Sequence, residues 1–274
     1  MKARTRARVI AFASGKGGVG KTNAAVNVAV ALARLGLRVG IIDGDFALGN
    51  VDVLLGMTPV VHIGHLLDGE RTLSEICLDG PSGVVVVPAS SGVRSLTALT
   101  SVQRGRLKAA LDELCGTLDF LILDTGSGLS DTVIETIGLA DLVLLVTSLE
   151  PPAVVDVYAT AKALTQNAPD LDLGIVINAV RSGDEATLAF RQVEIAATRF
   201  LQRSPTYFGF IVEDQAVRDA VLVQRPVVEH MPQAPASQCY RVLAARLAGL
   251  GPTNGRSIDI EAALAAEEEI SRCA

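Results

Sequence analysis

Gly15-Lys16-Gly17-Gly18-Val19-Gly20-Lys21-Thr22 is the stretch that decides how this chain folds. Its spacing is glycine, four residues, glycine, lysine, threonine, the pattern of a loop that holds nucleotide phosphates. A triphosphate is a dense cluster of negative charge. A protein can hold it by curling the backbone tightly and aiming several N–H groups at it. Glycine permits that curl because it has no side chain to obstruct the approach and accepts positive φ. Gly15, Gly17, Gly18, Val19, Gly20 and Asn23 form the candidate cradle, with Lys21 reaching the β- and γ-phosphates and Thr22 ligating Mg²⁺. Lys16, one residue after the first glycine, is not required by an ordinary loop of this kind.

The flanks fit the loop. Val9 to Ala13 is a short apolar run that reads as a buried parallel strand. Ala24 to Leu35 is rich in helix-forming alanine and leucine and closes on Gly36. Outward from there, strands are expected at 37–42, 84–87, 120–123, 142–146, 173–177 and 207–211. Helices are expected at 103–114, 132–139, 154–164, 185–201 and 236–247. Pro151-Pro152 suits a helix start. This alternation predicts an α/β fold: a single-domain P-loop NTPase with a mostly parallel open sheet flanked by helices on both faces. The domain is expected to span residues 1–250. A Gly/Pro-containing tether and an acidic tail with Glu267-Glu268-Glu269 are expected over 251–274.

In sheets of this kind, ligands bind beyond the carboxyl ends of the strands. Asp43, Asp124 and Asn178 all fall at such ends. Asp43-Gly44-Asp45 offers two carboxyl groups beside the loop, suited to an Mg²⁺ environment and to placing an attacking water. A solvated acidic turn is the alternative. Asp124-Thr125-Gly126-Ser127-Gly128 offers a metal-supporting aspartate, with glycines that let a backbone N–H approach the γ-phosphate. The alternative here is an ordinary strand-to-helix loop. Asn178 carries both a donor and an acceptor, matching an adenine edge, and also suits a plain turn.

Composition narrows the class. The chain has 274 residues, 49% of them hydrophobic, with a net charge of −6, and a mean hydropathy of +0.40. Its apolar runs are much shorter than the ~20 residues of a membrane span, and they suit strands buried on both faces. The negative balance gives no footprint for direct nucleic-acid binding. Cys77, Cys115, Cys239 and Cys273 form no C-x-x-C pair, so free thiols in a reducing cytosol are expected. His62, His65 and His230 show no metal spacing.

With its second lysine, the Asp-x-Asp element and Asp-x-Gly-x-Gly, the chain resembles the MinD/ParA group of ATPases, whose deviant P-loop reads K-G-G-x-G-K-T, here Lys16 to Thr22. Within that group it is most similar to the flagellar number and placement subfamily called FlhG, FleN or YlxH. The supporting segments run from 8 to 250. They include Asp43-x-Asp45-x-x-x-x-Asn50-Val51-Asp52, Pro88-Ala89-Ser90-Ser91-Gly92, Glu150-Pro151 with Asp156-x-Tyr158-Ala159, and Tyr207 to Ile211 with Asp214 and Gln224-x-Pro226.

The resemblance implies an Mg²⁺-dependent ATPase that uses ATP and ADP and dimerises when ATP-bound. Lys16 would reach the partner subunit's phosphates. Asp45 would orient or activate the water and, with Thr22 and Asp124, stand near the metal; the catalytic candidates are Asp45, Lys16 and Lys21. The cofactor set adds Asp43, Gly126 and Asn178 to the loop. Implied partners are flagellar: the GTPase FlhF, C-ring switch proteins, or a flagellar transcription regulator. A cytoplasmic location follows, with transient residence at the membrane or cell pole left open. A positioning ATPase for DNA, division or other cargo is the second reading, and a nucleotide-locked binding module with negligible turnover is the third. Relatives usually carry alanine where Gly44, Gly49 and Ser127 stand. They also commonly end in a basic amphipathic helix that binds membrane. The acidic segment from Ser257 to Ala274 would be repelled by an anionic surface.

Overall fold

A computed structural model of the chain describes residues 6–46, 49–89, 99–168, 171–201 and 204–251. The expected tether and acidic tail beyond Gly251, Ser90 to Gly92 and Cys273 lie outside these residues.

The elements follow in the order β1 (Arg8–Ser14), α1 (Lys21–Arg34), β2 (Val39–Gly44), α2 (Val51–Leu54), α3 (Ile63–Asp68), α4 (Leu73–Ile76) and β3 (Leu78–Asp79). Next come β4 (Val85–Val87), α5 (Ser101–Cys115), β5 (Phe120–Ser127), α6 (Asp131–Ile137), β6 (Leu142–Thr147), α7 (Pro151–Asn167) and β7 (Asp172–Val180). The last are α8 (Gly183–Leu201), β8 (Thr206–Val212), α9 (Gln215–Leu222), α10 (Val227–His230) and α11 (Pro235–Gly249). Among the described residues the strands form one eight-stranded sheet in the order β3-β4-β2-β5-β1-β6-β7-β8. Every pairing is parallel except that of the two-residue edge strand β3 with β4.

The continuous apolar runs have a direct cause. Alternate residues of β1 enter different layers: Val9, Ala11 and Ala13 join the core under α3 to α8, while Ile10 and Phe12 join the core under α1 and α9 to α11. A strand covered on both faces has no position left for a polar side chain. On the second face, Ala24, Ala25, Ala29 and Ala31 of α1 are buried, as are Ala236, Ala244 and Ala248 of α11. Small side chains let the helices approach the sheet and each other closely.

The structure differs from expectation at element ends and in one region. The strands expected to close at Ile42 and Leu123 run on to Gly44 and Ser127, because Asp43 pairs with Asp124 and Gly44 with Thr125 in the β2–β5 register. Asp43 and Asp124, expected just beyond the strands, are here part of them. The helix after the loop begins at Lys21, three residues earlier than the alanine run suggests. Short α2, α3, α4, α9 and α10 were not expected. Apart from the eight-residue α9, each has only four to six residues, too few to show a period.

Strand β1 lies at the centre, with β5 on one side and β6 on the other. The chain turns to opposite edges of the sheet from this point, and a crevice opens beyond the strand carboxyl ends. The glycine-rich loop that follows Ser14 stands over that crevice.

Candidate functional site

The loop's two lysines occupy opposite environments. Lys21, the first residue of α1, is only 8% exposed. Its Nζ donates to Asp124 Oδ1 at 2.6 Å and lies 3.4 Å from Thr22 Oγ1. Asp124 is 1% exposed. Burial pushes its carboxyl pKa up, while the Lys21 ammonium and the Thr22 hydroxyl pull it down and the Asp45 charge pushes it up. Lys21, Thr22, Asp124 and Asp45 therefore meet in one electrostatic unit. Lys16 instead points to the surface, its side chain 49% exposed, and donates to Glu150 Oε2 at 2.7 Å. Glu150, the residue preceding α7, raises the Lys16 pKa by that hydrogen bond and by its charge, with Asp156 adding a smaller push.

Asp43 is fully buried, and both carboxylate oxygens are engaged by the following loop. Oδ1 accepts from the Asp45 N–H at 3.1 Å and Oδ2 from the Val51 N–H at 3.0 Å. Burial, followed by the Asp124 charge, raises its pKa to about 7 against the two backbone donors and Lys21. Asp43 thus acts on the site through the backbone, fixing where Asp45 and α2 begin. Gly49 is part of this clamp: a Cβ there would stand 2.5 Å from Asp43 Oδ2 and collide with the Ala89 side chain. Gly49→Ala, the residue usual in the resembling family, is therefore expected to destabilise this chain by about 1–3 kcal/mol in urea unfolding, through crowding of a packed site.

Asn178 lies within β7, two residues before its end. Its Nδ2 donates to the Val19 carbonyl of the loop at 2.7 Å. The same atom fills the space a Gly20 side chain would need, and Gly20 has φ +87°, so only glycine suits position 20. Asn178 thus buttresses the phosphate loop with its amide nitrogen. On the other side of this contact, Asn23, Asn178, Ile211, Glu213, Asp214 and Tyr240 help line a cleft of about 140 Å³. Sequence reasoning placed no site residue among 211–214, although the end of β8 beside the end of β7 is where a sheet of this kind lengthens its crevice. At the opposite end, the Gly126 Cα lies against Asp45: a Cβ on Gly126 would be 3.8 Å from the Asp45 carboxyl carbon.

Thr22, Asp45 and Asp124 present oxygen donors, the set Mg²⁺ accepts together with phosphate oxygens and water. Among the described residues no three His, Cys, Asp or Glu side chains converge as an all-protein metal centre. No described helix is long and apolar enough to cross a membrane.

The chain is similar to known proteins in sequence and in fold. The family model described as "ParA: NUBPL iron-transfer P-loop NTPase" matches residues 5–248. The antiactivator FleN of Pseudomonas aeruginosa is 39% identical over 240 residues, covering 88% of this chain and 86% of that protein. The flagellum site-determining protein YlxH of Helicobacter pylori is 32% identical over 225 residues, covering 81% and 73%. The septum site-determining protein MinD of Pyrococcus horikoshii, solved in complex with Mg-ADP, superposes with a TM-score of 0.72 at 23% identity, covering 89% of this chain and 97% of that one. The parallel sheet and helical layers are those of that fold.

Proposed function

The chain belongs to the ParA/MinD family of P-loop NTPases, and from that premise we propose that it is an ATP-driven dimerisation switch that hydrolyses ATP and regulates the number or placement of flagella. The observation that carries this reading is the contrast between the loop's two lysines. Lys21 faces inward, onto its own Asp124. Lys16 faces outward, tethered only at the surface by Glu150. An outward ammonium on the same loop suits the phosphates of a second copy.

The chemistry follows from the chain's own groups. Loop N–H groups and Lys21 hold the β- and γ-phosphates. Thr22 and Asp124 would hold Mg²⁺, which would neutralise charge on the phosphate oxygens. Asp45, placed by the Asp43 clamp, orients the attacking water. The cleft at Asn23, Asn178 and residues 211–214 receives the base. The MinD relative bound to Mg-ADP supports the cofactor pair. FleN and YlxH, by name an antiactivator and a flagellum site-determining protein, support flagellar partners. The iron-transfer role in the family description has less support, because the sequence holds no C-x-x-C pair.

The test is sizing with a non-hydrolysable ATP analogue. The wild type is expected to run as a dimer with the analogue and as a monomer with ADP. Lys16→Ala is expected to stay monomeric while its affinity for ADP, bound by the same chain's loop, changes less than about threefold. A dimer that persists in Lys16→Ala would remove the cross-subunit role.

A further inference from the structure

We propose that the Ser127 hydroxyl is an additional ligand for the terminal phosphate, so that this chain reads triphosphate against diphosphate partly through that side chain. The inference rests on the reading of the crevice as an ATP site.

Ser127 is the last residue of β5, three positions beyond Asp124, and its side chain is exposed. Its neighbour Thr125 is committed elsewhere, donating from Oγ1 to the Phe12 carbonyl at 2.9 Å in the interior. The backbone fixes Ser127 beside the phosphate loop. Ser127 pairs with Ser14 in the β1–β5 register, and the Gly128 N–H donates to the Ser14 carbonyl at 3.0 Å. Ser14 is the residue from which the loop departs.

The side chain faces the loop's tip. A Cβ built on Gly17 would stand 3.6 Å from Ser127 Oγ, at van der Waals contact. Because Gly17 has none, the hydroxyl looks across an open gap onto the loop backbone. The loop therefore runs from Ser127, at Gly17, to Asn178, at Gly20. The base cleft lies at the Asn178 end, and Asp45 lies beside Gly126 at the Ser127 end. A nucleotide spanning the loop in that direction brings its terminal phosphate to Ser127 and Asp45. A serine hydroxyl there donates to a phosphate oxygen, a charge-assisted bond stronger than a neutral one. A diphosphate has no oxygen at that end.

The experiment compares Ser127→Ala and Ser127→Thr with wild type by titration calorimetry, using ADP and a non-hydrolysable ATP analogue. Losing one hydrogen bond to a charged acceptor is expected to weaken the analogue about tenfold and leave ADP affinity unchanged. Ser127→Thr, which keeps the hydroxyl, should recover most of the loss. Equal affinities of wild type and Ser127→Ala for the analogue would overturn the proposal while leaving the ATP-site reading standing. Equal losses for both nucleotides would also overturn it, since the side chain would then only be supporting the loop. A wild type that binds neither nucleotide would overturn the ATP-site reading and this inference together.

Discussion

Lys21→Ala is expected to lose both nucleotide binding and a large share of the protein's stability. In the folded chain Lys21 Nζ sits 2.6 Å from Asp124 Oδ1, and both residues are buried. Removing one member of a buried ion pair leaves the other charge without compensation, a loss of about 3–5 kcal/mol. Asp124 already has a raised pKa from burial, with Lys21 opposing the rise. Without Lys21 the carboxyl can take up a proton, which places the expected loss near the lower end of that range. Against a typical domain stability of about 5–15 kcal/mol, such a change is easily read in urea unfolding. Added ATP should no longer raise the midpoint, because the phosphate contact is gone. The double variant Lys21→Ala/Asp124→Ala should regain part of the stability, since no buried charge remains, and still fail to respond to ATP. A single variant as stable as wild type would show that the pair is not the buried, compensating contact described.

Asp45→Ala is expected to separate turnover from both folding and binding. The side chain is half-buried at the mouth of the site, and its charge faces Asp124. The loop that carries it is anchored through the Asp45 N–H and the Val51 N–H on Asp43. Alanine keeps that N–H, so the clamp survives and unfolding should shift by less than about 1 kcal/mol. What disappears is the group proposed to position water, a contribution of about 10²–10⁴-fold in rate. Single-turnover hydrolysis should fall by at least about a hundredfold, with ATP-analogue affinity retained. A rate equal to wild type would exclude Asp45 from the chemistry and favour a binding module in which nucleotide only fixes shape.

Much of the fold was legible because its signals are local. The apolar runs of β1, β5 and β6 report burial on both faces directly. The alanine- and leucine-rich segments of α1 and α11 report helices in the same way. The segment from Val51 to Asp79 was not legible. Its helices are stabilised by contacts with the rest of the core, as Val51 in the layer with α1, and Ile63 and Ile76 in the opposite layer, indicate, and not by a repeated pattern of their own. The cleft lining at 211–214 was missed for a related reason: its meaning depends on β8 lying beside β7, which no short window contains.

The sequence by itself determined that this chain folds as an α/β P-loop protein, because glycine spacing, flanking strand and following helix are all encoded within about thirty consecutive residues. It also singled out Lys16, Lys21, Asp45 and Asp124 as the residues to watch. Only the tertiary structure decided what each one touches. Lys21 meets Asp124 across 103 positions, Lys16 meets Glu150 across 134, and Asn178 meets Val19 across 159. Parallel crossovers bring these distant strand ends together, and strand order is a property of the whole packed sheet. Asp43 shows the difference most clearly. Its place at a strand end beside the loop is written in the sequence, but only the packed structure buries its carboxyl group and seats both oxygens on the Asp45 and Val51 N–H groups.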